Sequence, residues 1–236
     1  MGNHNRRGHR GRNRIDSIEL MNTDFARQQM VEQQARAWDV LDEDVLDVLK
    51  SVPREDYVSA DRRALAFADT EIPIGHGQAM MTPTIEGRVL QALAITGSDR
   101  VLEIGTGSGF LAACLAQLAA RVTSIDIFDD FIAAAGRRFE DATINNIELA
   151  HMDATRELPD GRFDAIAVTG SIERFEPRFV EALSPGGRLF VVVGEAPVME
   201  AKLIRRTGDK GWESETLFET WLTALINGAL PPQFRF

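Results

Sequence analysis

The chain has 236 residues, 44% hydrophobic and 26% charged, enough to bury one α/β core without metal or disulfide staples. Net charge is −10. Five arginines (Arg6, Arg7, Arg10, Arg12, Arg14) against Asp16 and Glu19 put +3 on residues 1–22 and leave −13 on the rest, which argues against a nucleic-acid surface on the folded body. Cys114 is the sole cysteine, so no internal disulfide forms, and no Cys/His cluster has zinc spacing. No apolar run approaches the roughly 20 residues of a membrane span, and the N-terminus lacks the apolar h-region of a secretory signal. A cytoplasmic, metal-free protein is expected. The Gly/Asn/Arg-rich residues 1–22 read as a disordered basic tail.

In chain order, "DFARQQMVEQQARAW" from Asp24 reads as a helix with Asp24 as its cap. "DEDVLDVLKSV" (42–52) places Val45, Leu46, Val48 and Leu49 on one helical stripe that Pro53 ends. "SADRRALAFAD" (59–69) predicts a third short helix. "PIGHGQAMMTPT" (73–84) is too irregular for a strand and too apolar at its centre for a linker. His76 within it reads as a loop residue. "TIEGRVLQALAI" (84–95) then spaces Ile85, Val89, Leu90 and Leu93 along one helix face.

Beyond residue 96 the pattern alternates. Strands are expected at 100–104, 121–127, 147–153, 163–170 and 186–194. Helices are expected in "FLAACLAQLAA", "DDFIAAAGRRFED" and "RFVEAL". Strand–helix alternation implies a parallel sheet with right-handed crossovers. "AKLIRRT" and "WESETLFET" flank "GDKG" and predict an antiparallel hairpin at the end. The expected architecture is α/β: a doubly wound, mainly parallel seven-stranded sheet. Residues 23–236 form one domain, with a helical cap over 23–96 and the sheet over 97–236. Cys114 reads as a small core residue.

"VLEIGTGSG" (101–109) is the most informative stretch. A strand running into Gly-x-Gly and a helix N-terminus offers close backbone approach and free N–H groups to a ligand. The third glycine comes one residue too early for the dinucleotide fingerprint, which counts against a nicotinamide enzyme. Asp126 ends the second strand, where a carboxylate accepts from a ribose diol. Asp153 ends the third, where an adenine edge would lie, with Met152 beside it. Glu103, inside the first strand, is placed to hold a ligand ammonium. Acids at successive strand ends behind a glycine loop point to a nucleoside ligand.

At these residues the sequence resembles the class I S-adenosylmethionine-dependent methyltransferases. The likeness is nearer still to the protein-L-isoaspartate O-methyltransferase family. It rests on "VPREDYV" (52–58), "PIGHGQ" (73–78) followed by a proline, "VLEIGTGSG", "FDAIAVTG" and "GGRLFVVVG", and spans roughly residues 25–205. It implies an O-methyltransferase that uses S-adenosyl-L-methionine and acts on isoaspartyl residues of damaged proteins, as a monomer. The implied cofactor-binding residues are Gln78, Glu103, Gly105, Thr106, Gly107, Gly109, Asp126, Ile127, Met152, Asp153 and Thr169. Those implied at the reacting groups are Met81, Thr82 and Thr169. In this alignment Met81 stands where the family carries a serine, and a thioether donates no hydrogen bond. Thr82 and Thr84 are the nearby hydroxyls. A more apolar acceptor, or cofactor binding without turnover, are the alternatives this departure raises.

Overall fold

The computed structural model describes residues 22–209 and 211–228. Most of the tail read over residues 1–22 thus lies outside the described residues. Helix α1 covers 22–30 and widens into a π turn, Val31–Ala35, then a 3-10 turn, Arg36–Trp38. The expected continuous helix is therefore interrupted. The wider turn keeps Met30, Val31 and Ala35 all buried, and Asp39, at φ 61°, ends the run. Asp24 is no cap, because residues 22 to 24 are already helical; it pairs with Arg27 at 3.1 Å. Helix α2 spans Glu43–Ser51, with Asp42 accepting from the backbone N–H of Asp44 and Val45. The third expected helix is 3-10, Ala60–Leu65, after another 3-10 turn at Arg54–Tyr57.

The segment at 73–84 corrects the sequence reading. Ile72–Gly75 (β1) and Gln78–Met80 (β2) pair as a short antiparallel hairpin. Gly75, His76 and Gly77 all have positive φ, which lets the chain reverse within two residues. Strands this short carry too little alternation to be read from sequence. Thr82 caps α3 (Pro83–Leu93), its Oγ1 accepting from Ile85 N, and Pro83 sits in the first turn, where its missing N–H costs nothing.

The main sheet contains β3 (Arg100–Ile104), β4 (Arg121–Asp126), β5 (Ile147–His151), β6 (Phe163–Ile172), β7 (Leu183–Glu195), β8 (Val198–Arg206) and β9 (Trp212–Thr220). The order is β5-β4-β3-β6-β7-β8-β9. β5 to β7 run parallel through β3, and β8 and β9 are added antiparallel. Crossover helices α4 (Phe110–Leu118), α5 (Asp129–Asp141) and α6 (Pro177–Glu181) connect the parallel strands.

Strand alternation divides the core between the two faces of the sheet. Val101, Ala165, Ala167, Phe190 and Val192 pack with α3, α4 and the N-terminal helices. Leu102, Ile104, Ile166, Val168, Leu189 and Val191 pack with Phe179 and Val180 of α6. The first cluster runs from Met30 to Leu222, so cap and sheet share one core. Cys114 is fully buried within it. Strand order reverses between β3 and β6, and the parallel strands end there in a crevice.

Candidate active site

The turn after β3 forms the floor of that crevice. Gly105, Gly107 and Gly109 have φ of 102°, 51° and 85°, a left-handed region that glycine adopts without strain. Gly105 N and Thr106 N both donate to Ile125 O, at 2.8 and 3.1 Å, so the loop is tied to the end of β4. A Cβ on Gly105 would lie 2.2 Å from Thr169 Oγ1. That hydroxyl holds the loop from the other side, at 3.0 Å from Ile104 O and 2.8 Å from Gly105 O. Gly109 serves packing instead: a Cβ there would meet Phe139 at 3.0 Å and Ala135 at 3.1 Å on α5.

Asp126 closes the loop from β4. Its Oδ2 accepts from Gly107 N at 2.8 Å and its Oδ1 from Phe128 N at 3.0 Å. Each oxygen keeps a second lone-pair direction for a ligand. Burial raises its pKa, and the backbone hydrogen bonds oppose that rise.

Behind the loop lies a buried chain of side chains. Ser124 Oγ donates to Glu103 Oε2. Ser124 has only one proton, so Thr106 Oγ1, 2.6 Å away, is the donor to Ser124. The other carboxylate oxygen, Glu103 Oε1, is buried with no partner. Burial pushes the Glu103 pKa up to about 8, helped by the charges of Asp126 and Glu86. A buried acceptor without a donor is costly unless the group is protonated or a ligand arrives.

This pKa predicts a pH dependence of the free protein. Between the ordinary value of 4.5 and about 8, the folded chain keeps a proton on Glu103 that the unfolded chain releases. Stability from this group is therefore present at low pH and falls as pH rises through that window. Glu103→Gln should melt a few degrees above the parent at pH 8 and with it near pH 5, in thermal scans without ligand. Equal melting at both pH values would show that the carboxyl is not protonated in the fold.

The crevice encloses a cavity of about 90 Å³. Gln78, Glu103, Gly105, Thr106, Gly107, Asp126, Ile127, Met152, Asp153 and Thr169 all line it. The glycine loop, both strand-end acids and the hairpin are thus brought together. Ile74, Ala79, Met80 and Met81 form the wall from β1, β2 and the approach to α3. None of the described lining residues is basic, whereas Glu71, Glu86, Glu103, Asp126 and Asp153 are acidic. Such a site suits a ligand that brings its own positive charge.

Two expected residues stand apart from the crevice lining. One is Gly109 and the other is Thr82. Besides capping α3, the Thr82 hydroxyl lies 2.8 Å from Thr84 Oγ1, which donates to Asp69 Oδ1 at 2.7 Å. Met81, by contrast, lines the crevice and is 6% exposed. Its carbonyl accepts from Arg54 Nη2 at 2.6 Å. Arg54, fully buried, also donates to Ala66 O and forks onto Glu86 through Nε at 3.0 Å and Nη2 at 3.2 Å. Burial lifts the Glu86 pKa, and Arg54 opposes it.

His76 braces the hairpin over the crevice. Its ring stacks on Phe128 at 4.0 Å and its Nε2 lies 2.9 Å from Asp130 Oδ2. His151 is satisfied locally by Ile127 O at 2.9 Å. Sequence reasoning missed the wall that follows β9, formed by Leu222, Thr223, Leu225 and Ile226. The apolar residues of "WLTALI" were the available signal, but only the tertiary fold brings them to Ser171.

The model of the family "Protein-L-isoaspartate(D-aspartate) O-methyltransferase (PCMT)" matches residues 25–228. A relative named protein-L-isoaspartate O-methyltransferase 2, from Pelobacter propionicus, is 34% identical over 200 residues, covering 84% of this chain and 89% of its own. Another from Opitutus terrae, named protein-L-isoaspartate O-methyltransferase, is 39% identical over 171 residues, with 72% and 73% covered. In fold, the chain superposes with a TM-score of 0.74 on a Plasmodium falciparum structure in complex with S-adenosyl-L-homocysteine, at 20% identity and with 84% and 97% covered. No helix among the described residues is long and apolar enough to cross a membrane. With a family model matched over residues 25–228 and relatives 34% and 39% identical over more than two thirds of its length, the chain belongs to the protein-L-isoaspartate(D-aspartate) O-methyltransferase family.

Proposed function

We propose that the protein binds S-adenosyl-L-methionine in this crevice and transfers its methyl group to the free carboxylate of isoaspartyl residues in peptides or proteins. The observation that carries this reading is the family match across residues 25–228. The residues present fit the cofactor. The unpartnered Glu103 Oε1 is a seat for an ammonium. Asp126 keeps acceptor positions for a ribose diol. Asp153 and Met152 line the far part, where an adenine would lie. When bound, the cofactor supplies a methyl group already activated on a sulfonium.

The chain's own residues then bind and orient. A carboxylate acceptor is ionised at neutral pH and needs no base, so Thr82, Thr84 and Asp69 are not required to move a proton. Thr169 holds the glycine loop through Ile104 O and Gly105 O, which makes it a positioning residue. Met80, Met81 and Leu222 exclude water from the crevice wall, and proximity and orientation do most of the work.

The test is methyl transfer from labelled cofactor to an isoaspartyl peptide, with the matching aspartyl peptide as control. Transfer to the isoaspartyl peptide alone supports the reading, and cofactor binding without transfer overturns it. Met81→Ser probes the same wall. A serine there regains a hydrogen bond to the acceptor carboxylate, and isoaspartyl turnover should rise about tenfold. The apolar pair Met80–Met81 and the lack of basic lining residues favour a second reading, an uncharged acceptor. Under it, Met81→Ser leaves peptide methylation at background.

A further inference from the structure

After β9 the chain turns back across the sheet as a strap, residues 221–228. Ser171, at the end of β6, holds it three ways. Its N donates to Thr223 O at 3.0 Å, its Oγ to Leu222 O at 2.9 Å, and its O accepts from Leu225 N at 2.9 Å. The strap passes so close to β6 that a Cβ on Gly170 would lie 2.8 Å from Leu225 Cδ2. At its end, Gly228 N donates to Leu225 O at 3.0 Å, and Asn227 Nδ2 donates to Asp153 Oδ2 at 2.9 Å. The wall of the acceptor crevice is thereby wired to the acid at the end of β5.

The Asp153 carboxylate accepts three hydrogen bonds and one ion pair. Its Oδ1 accepts from Thr155 N at 2.9 Å and Thr155 Oγ1 at 2.6 Å. Its Oδ2 accepts from Asn227 and forms an ion pair with Arg156, Nε at 3.2 Å. A carboxylate offers about four acceptor directions; three hold hydrogen bonds and the fourth faces the exposed arginine. An amino group arriving from inside the crevice competes with these partners. The two from Thr155 belong to the turn that Asp153 itself starts. Arg156 is a surface side chain, 80% exposed. Thr155 lines the crevice within that local turn, and Asn227 is the donor that reaches Asp153 from the strap, whose Leu222, Thr223, Leu225 and Ile226 wall the crevice.

We propose that Asn227 occupies the position on Asp153 that the adenine amino group takes, so that cofactor binding releases the end of the strap and reshapes the acceptor wall. The inference rests on the reading of Asp153 as the adenine acid. Linkage makes the coupling reciprocal. If the cofactor breaks the Asn227 bond, breaking that bond by mutation must favour the cofactor.

Binding of S-adenosyl-L-homocysteine is measured by calorimetry on wild type, Asn227→Ala and Asp153→Ala, with hydrogen exchange followed over residues 221–228. Asn227 is exposed, so its alanine variant keeps the core. The expected result is affinity about three- to tenfold tighter in Asn227→Ala, the value of one net hydrogen bond. In wild type, saturating ligand should speed exchange of the Gly228 amide, whereas in Asn227→Ala that amide exchanges fast with or without ligand. Equal or weaker binding by Asn227→Ala, or unchanged or slower exchange in the wild-type strap, overturns the proposal. Two other outcomes overturn it through its premise and are told apart from these. No binding by wild type removes the cofactor reading, and full affinity in Asp153→Ala removes the adenine assignment.

Discussion

Asp126→Ala is expected to lower affinity for S-adenosyl-L-methionine by about two to four orders of magnitude, through loss of two hydrogen bonds to a charged acceptor at about 1.5–3 kcal/mol each. The carboxylate is 8% exposed and bridges Gly107 N and Phe128 N. Its removal takes away both oxygens proposed to accept from the ribose and also unties the glycine loop. Asp126→Asn is not a conservative control. One of its two positions would then be an amide donor facing Gly107 N–H or Phe128 N–H, and that pairing is repulsive. Both variants should therefore bind poorly. Calorimetry checks the affinity, and a thermal melt of the free protein checks that the fold persists. Parent-like binding by Asp126→Ala would place the ribose elsewhere.

Arg54→Met is expected to destabilise the protein by about 3–5 kcal/mol, the usual cost of leaving one member of a buried ion pair alone. Arg54 is wholly buried, and Glu86 is 1% exposed. The guanidinium satisfies both Glu86 oxygens and the carbonyls of Ala66 and Met81, and lies 5.3 Å from the Phe110 ring centroid. With Arg54 gone, burial alone acts on Glu86 and raises its pKa further. A raised carboxyl pKa favours the fold at low pH, so the defect should shrink as pH falls through that pKa and be largest in alkali. Arg54→Met combined with Glu86→Gln should recover part of the loss, because no buried charge remains. Urea melts of the two variants at two pH values test this. A double mutant no more stable than the single one would show that the carbonyl contacts, not the charge, dominate. The same change should weaken methyl transfer at permissive temperature, since Arg54 fixes the backbone at Met81.

Much of the fold was legible because its strands and helices are built from local pattern. β3 was expected at 100–104 and is Arg100–Ile104. The helix at 42–52 is Glu43–Ser51. The acids Asp126 and Asp153 and the glycine loop could be placed at one edge, because parallel α/β sheets gather ligands where strand order reverses. The failures were of two kinds. The β1–β2 hairpin has too few residues for a period to appear. The π turn at Val31–Ala35 is set by which side chains the core accepts, and helix propensity does not encode that.

The sequence by itself determined the alternating α/β plan, the family and the cluster of acids without a base. These are features of residue type and order, carried by motifs a few residues long. Tertiary structure decided how each side chain is used. It made Thr82 a helix cap and Thr169 a tie for the glycine loop. It left Glu103 with one unpartnered oxygen and set Arg54 beneath Met81. It also brought Asn227 to Asp153 across 74 positions of chain. Hydrogen-bond partners and burial depend on where distant segments meet, and no local pattern records that meeting.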